Sequence, residues 1–152
     1  MFELKCSRPV AAPPARVFEI LADLRGGAKR ITAITKLEVL TPGPIGKGTR
    51  FRETRVMFGR EATEEMEITH FDPPRSYTTE ARSHGCHYVC TLRCEPRGSG
   101  TELEMGFAAK PMTFGARIMG LLMKPFAKKL MSACSKDLDD IAAAAENRTR
   151  AG

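Results

Sequence analysis

Between Thr113 and Asn147 the apolar positions recur with a helical period. Phe114, Ile118, Leu122, Phe126, Leu130, Cys134 and Leu138 fall four residues apart, with Met119, Met123 and Met131 beside them, so one broad face is apolar. Thr113 is placed to cap the start, and Lys124, Lys128, Lys129 and Lys136 line the other side. A straight helix of this length would run roughly 50 Å, whereas a domain of this size has a radius of gyration of about 15 Å. Pro125 removes a backbone donor and crowds the preceding turn, which predicts a kink there. A bent, Met-rich apolar helix needs a large concave surface to lie against.

Upstream, the period changes to two. Phe2, Leu4 and Cys6 alternate with Glu3, Lys5 and Ser7, the mark of a half-buried strand. The run 11–14, Ala-Ala-Pro-Pro, breaks it, and Pro13 or Pro14 opens a helix to about Leu24 with Val17, Phe18, Leu21 and Leu24 on one face. Gly26 and Gly27 are expected to end that helix, with a second short one over 28–34. Strand-like segments follow at 36–41, 49–58, 60–71, 76–82, 86–94 and 101–109, separated by Gly- and Pro-rich turns. Consecutive strands with a terminal helix predict an α+β layer structure in one domain, 1–147, with a frayed tail over 148–152. A curled antiparallel sheet closed by a helix leaves interior space where a ligand can sit.

Strand parity then points to chemistry. Phe51, Glu53, Arg55 and Met57 share one face of their strand, and Ala62, Glu64, Met66 and Ile68 share one face of the next. A two-residue turn at Phe58-Gly59 pairs Met57 with Arg60, which sets Arg55 opposite Ala62 and Glu53 opposite Glu64. Carboxylates about 5 Å apart on a partly apolar face repel unless Arg55 neutralises them. Glu53, Glu64 and Arg55 are therefore candidates for proton transfer over a carbonyl-rich ligand, or for a structural charge network. Tyr77 and Tyr88 are candidate hydroxyl anchors, and Tyr88 shares its face with Cys90, Leu92 and Cys94. His70, His84 and His87 fall near strand ends and read as turn or surface residues, and Cys134 reads as packing. Residues 43–49 look superficially like a phosphate loop, but Gly48 stands where a hydroxyl residue should follow Lys47 and a strand follows, so a sharp glycine turn is expected.

Composition narrows the rest. At 42% hydrophobic and 28% charged residues, neither a disordered nor a fibrous class is indicated. No apolar run reaches the roughly 18 residues of a membrane span. The start of the chain shows no signal sequence, so the cytoplasm is the expected location. The five cysteines include no C-x-x-C pair, and Cys86, Cys90 and Cys94 are spaced about 13 Å apart along a strand, too far to share an ion. No metal and no cofactor is expected, and the thiols read as small hydrophobes. The net charge of +6 comes from scattered basic residues interleaved with acids and without stacking aromatics, so nucleic acid is not an expected partner. A solvated basic surface is the expected reading of the excess; weak attraction to an anionic membrane surface is the functional alternative, because lysines flank an apolar helix face.

Three stretches carry a resemblance. Residues 12–24 (Ala-Pro-Pro-Ala-Arg-Val-Phe-Glu-Ile-Leu-Ala-Asp-Leu), 46–54 (Gly-Lys-Gly-Thr-Arg-Phe-Arg-Glu-Thr) and 68–77 (Ile-Thr-His-Phe-Asp-Pro-Pro-Arg-Ser-Tyr) resemble the polyketide cyclase/dehydrase branch of the START-like (SRPBCC) superfamily, and 136–141 fits its closing helix. The resemblance implies a helix-grip (START/Bet v 1-like) fold, a curved seven-stranded antiparallel sheet around a long C-terminal helix with an apolar cavity between them. Its members bind lipids, sterols, quinones, polyketides or plant hormones, and some are cyclases or dehydratases. They share no universal catalytic motif, so the resemblance assigns no catalytic residue here. Many have a Trp where this chain reads Lys29-Arg-Ile-Thr, a change that would open the entrance. The expected function is binding of an apolar or amphipathic small molecule, lined by Phe51, Met66, Tyr77, Tyr88, Cys90, Leu92, Met105, Phe107, Ile118, Leu122 and Phe126. The alternatives are a cyclase or dehydratase using Glu53 and Glu64, and a lipid or quinone carrier working at membrane surfaces.

Overall fold

The structure, a computed structural model, describes residues 2–57 and 59–151, the last four by their backbone alone. Strand β1 (Phe2–Val10) leads into helix α1 (Pro14–Ala22), a 3-10 turn (Leu24–Gly26) and the single-turn helix α2 (Gly27–Arg30). Six strands follow: β2 (Ile34–Val39), β3 (Arg50–Met57), β4 (Arg60–Asp72), β5 (Ser76–Ser83), β6 (Cys86–Arg97) and β7 (Gly100–Pro111). Helix α3 (Phe114–Met123), a 3-10 turn (Lys124–Phe126) and helix α4 (Ala127–Ala151) complete the chain. The frayed tail expected over 148–152 falls outside the residues described with side chains, and so does Phe58 of the β3–β4 turn.

All seven strands form one antiparallel sheet in the order β1-β7-β6-β5-β4-β3-β2. Every neighbour from β2 to β7 is a sequence neighbour, so each connection is a hairpin, and only β1 crosses over to pair with β7. Helix α1 stops at Ala22, earlier than the two glycines suggest, because the Asp23 carboxylate accepts the Gly26 N–H at 3.3 Å and draws the chain into a 3-10 turn. Gly27 then begins α2 instead of ending a helix. In the loop before β3, Gly43 and Gly48 both hold a φ of 93°, a sharp turn of the expected kind.

The closing helix breaks where Pro125 lies. Thr113 caps α3 by accepting the Ala116 N–H at 3.1 Å, and the 3-10 turn around Pro125 separates α3 from α4. The hydrophobic core occupies one half of the grip. Val17, Phe18, Ile20 and Leu21 of α1 meet Leu138, Ile141, Ala142 and Ala145 of α4 over Phe51, Ile68, Leu92 and Leu103 of the sheet. Acidic side chains of α4 fasten the same half. Asp139 pairs with Arg8 at 2.6 Å, Asp140 accepts the Thr32 N–H at 2.9 Å, and Glu146 accepts the Ala11 N–H at 2.8 Å.

Candidate functional site

The other half of the grip holds most of the polar residues singled out by strand parity. The register pairs Met57 with Arg60, Arg55 with Ala62 and Glu53 with Glu64, as the hairpin pattern predicts. The concave face continues through Thr79 opposite Cys90, Ala81 opposite Tyr88, and Cys90 opposite Phe107. Toward the end where β7 hands over to α3, this face changes character. Arg55, Met57, Glu64, Ser83, Tyr88 and Phe107 are half-buried, whereas the same face is closed at Phe51, Ile68, Leu92 and Leu103.

A charged trio forms the floor. The Arg55 guanidinium donates to Glu53 Oε1 at 2.7 Å through Nε and to Asp137 Oδ2 at 2.9 Å through Nη1, joining β3 to α4. Burial works against the Arg55 charge, yet Glu53 and Asp137 hold the guanidinium protonated well above its usual range. Asp137 is only 4% exposed, and burial pushes its carboxyl up despite the opposing pull of Arg55. Its second oxygen, Oδ1, is buried with no hydrogen-bond partner among the described residues. Glu64 stands apart from the trio at the rim and accepts the Ser83 hydroxyl at 3.1 Å.

Around the trio the surface is apolar and rich in sulfur. Cys134 Sγ lies 2.9 Å from Met105 Sδ. Tyr88 and Phe107 stack at 5.9 Å with ring planes 25° apart. Burial pushes the Tyr88 hydroxyl up to about 12 and the Cys90 thiol likewise to about 12, so both are neutral at physiological pH. Cys90 is nevertheless only half-buried to solvent, although it feels strong desolvation.

The structure thus brings Glu53, Arg55, Glu64, Tyr88, Cys90 and Phe107 to one concave surface and separates other candidates from it. Phe51 and Leu92 belong to the closed core, with Met66 and Met105 packed against it. Tyr77 belongs there too and offers no free hydroxyl. It is edge-on to Phe18 and Phe71, and its O–H donates to the Leu21 carbonyl at 3.2 Å. Ile118, Leu122 and Phe126 stand 46%, 65% and 39% exposed on α3 and the turn after it. His87 sits on the convex face against Glu80 at 2.7 Å, and His84 occupies the β5–β6 turn. Two open hollows, of about 320 and 550 Å3, are lined chiefly by convex-face residues such as Lys5, Thr91, Glu67 and Arg82. Sequence reasoning passed over Asp137. Its position three after Cys134 and four before Ile141 sets a carboxylate on the inward stripe, which is the signal that would have found it.

A curled seven-stranded antiparallel sheet gripping a long C-terminal helix is the helix-grip fold. The sequence matches the family described as polyketide cyclase / dehydrase and lipid transport over residues 1–146, and the chain belongs to that family. Among solved structures it is similar to TTHA0849 from Thermus thermophilus, with 23% identity, a TM-score of 0.80, and coverage of 97% of this chain and 99% of that one. It is also similar to the Zhui aromatase/cyclase from Streptomyces sp. R1128, with 22% identity, a TM-score of 0.74, and coverage of 99% and 96%. Major latex-like protein 151 from Panax ginseng shares 16% identity with a TM-score of 0.73, covering 94% and 96%. No curated protein sequence matches it.

Proposed function

We propose that the protein binds an apolar or amphipathic small molecule carrying a hydroxyl or similar donor, held between the concave sheet face and the C-terminal helix. The observation that carries this reading is the orphaned Asp137 Oδ1, a buried acceptor at the foot of an apolar surface. Such an atom costs free energy until something donates to it. A ligand hydroxyl would satisfy it, while Arg55 and Glu53 fix the orientation of the carboxylate. The residual exposure of Cys90, Tyr88 and Phe107 supports the same reading, since residues deep in the grip stay accessible only where space reaches them. Met105, Met119 and Met123 would give an adaptable wall suited to a range of shapes.

Displacement of a fluorescent apolar probe by naphthol and by naphthalene tests this. Naphthol is expected to bind about tenfold tighter, and Asp137→Asn or Arg55→Gln to narrow that gap. Phe107→Ala and Leu122→Lys should weaken both ligands. Equal affinity for the two ligands in the native protein overturns the proposed anchor, and indifference to Phe107→Ala and Leu122→Lys overturns the proposed cleft.

A second reading is catalysis of the cyclase or dehydratase type. What favours it is Glu64, which lies directly across from Glu53 yet outside the Arg55 network, free to exchange a proton with a carbonyl-rich chain. It expects Glu64→Gln to abolish conversion of a poly-β-ketone while affinity survives. Unchanged turnover in that variant would remove Glu64 from any mechanism.

A further inference from the structure

Helix α3 carries six of the eleven large hydrophobic residues that are exposed among the described residues. Phe114, Met119, Leu121, Leu122 and Met123 are 78%, 58%, 65%, 65% and 42% exposed, and Ala116 is the only buried residue of the helix. At 100° per residue, the exposed apolar side chains span an arc of about 200°, far wider than the stripe that one neighbouring element covers. The cations are placed with equal bias. From Met105 to Lys136 there are six basic residues, Lys110, Arg117, Lys124, Lys128, Lys129 and Lys136, and no acid. The other eighteen basic residues are balanced by the eighteen acids, so this one stretch carries the entire +6.

We propose that α3 and the turn after it form a docking surface for an anionic lipid bilayer, with α3 lying in the interface plane. Charge complementarity selects this occupant. A second copy meeting the first across a two-fold axis would set Arg117, Lys124, Lys128 and Lys129 of one against the same four of the other, Lys136 being paired with Asp140. A bilayer accepts both halves of the pattern, taking the apolar arc into the acyl boundary while the lysines reach the headgroups. Lysine suits this, because its stem covers apolar surface and its ammonium stays wet. Lys129 Nζ lies over the Phe126 ring, 5.5 Å from its centroid. The surface shares Met119, Leu122 and Met123 with the wall of the proposed cleft, whereas Phe114 and Leu121 belong to it alone, and it would bring that cleft to the membrane.

The test is co-sedimentation of the full chain with vesicles of equimolar phosphatidylcholine and phosphatidylserine, against phosphatidylcholine alone. Binding is expected only to the anionic vesicles and should fall as salt is raised. Reversing Lys124, Lys128 and Lys129 to Glu should weaken partitioning on the order of a hundredfold. Leu121→Glu, a change at an exposed site, should abolish it while displacement of the apolar probe is retained, which separates this surface from the ligand reading. Equal partitioning to neutral vesicles, or none to either, overturns the proposal. So does a dimer in sedimentation velocity that Leu121→Glu dissociates.

Discussion

Asp137 makes a pH prediction with a definite sign. Its carboxyl is raised above the ordinary value of 3.8 by burial, more than Arg55 lowers it. Within the window between those two values the folded chain keeps a proton that the unfolded chain has released, so this group's stability contribution falls as pH rises through it. Above the folded value the cost of ionising is fully present. The stability of Asp137→Asn relative to the native protein should therefore rise as pH climbs from below 3.8 to neutrality, a trend read from denaturation midpoints of the two proteins across pH. At this scale the sequence was partly legible. Alternation and a hairpin turn sufficed to place Glu53 opposite Glu64 and Arg55 beside them. Arg55's second partner was hidden, because a contact spanning 82 residues is set by how α4 lies on the sheet. Tyr77 was misjudged for a related reason: parity gives the face of a strand but not how far along it the core extends.

The two parts of the C-terminal helix differ in what holds them. Helix α4 is anchored by Leu138, Ile141 and Ala142 in the core and by Asp139, Asp140 and Glu146, which reach Arg8, Thr32 and Ala11. Helix α3 is held mainly at its start. The Met112 N–H donates to the Gly85 carbonyl at 2.7 Å, and a Cβ on Gly85 would meet Thr113 Oγ1 at 2.6 Å. Gly85 also has a φ of 74°, so an L side chain there is strained as well as crowded. Gly85→Ala should destabilise by about 1–2 kcal/mol and speed amide exchange over 113–123 while leaving 137–146 protected. Equal loss of protection along both helices would contradict separate anchoring. Periodicity and Pro125 announced the helix and its break, but not that its apolar face is buried only beyond the break. The same four-residue spacing runs through both parts, and only the position of the sheet decides which part is covered.

For the whole molecule, alternation, turn residues and a long terminal helix made the fold readable, since each of these signals acts locally and the sheet is built almost wholly from sequential hairpins. Charge was read less well. Its basic residues are indeed scattered, but the asymmetry comes from where acids are missing, and a count of cations does not reveal that. Most acids lie on the sheet and along α4, where they neutralise or fasten, and none falls between Met105 and Lys136.

One pairing in the sheet is unlike the others. Strand β1 finds its partner only in β7, Phe2 against Ala109 and Val10 against Thr101, whereas every other strand meets the next hairpin arm. During synthesis the opening nine residues therefore emerge long before the segment that will shield them, and they must remain single while six strands are made. Their alternation of Glu3, Lys5, Ser7 and Pro9 with apolar neighbours keeps that waiting edge from joining a stranger. Assembly of the sheet is thus completed by an encounter between distant parts of the chain, the kind of step that slows folding most.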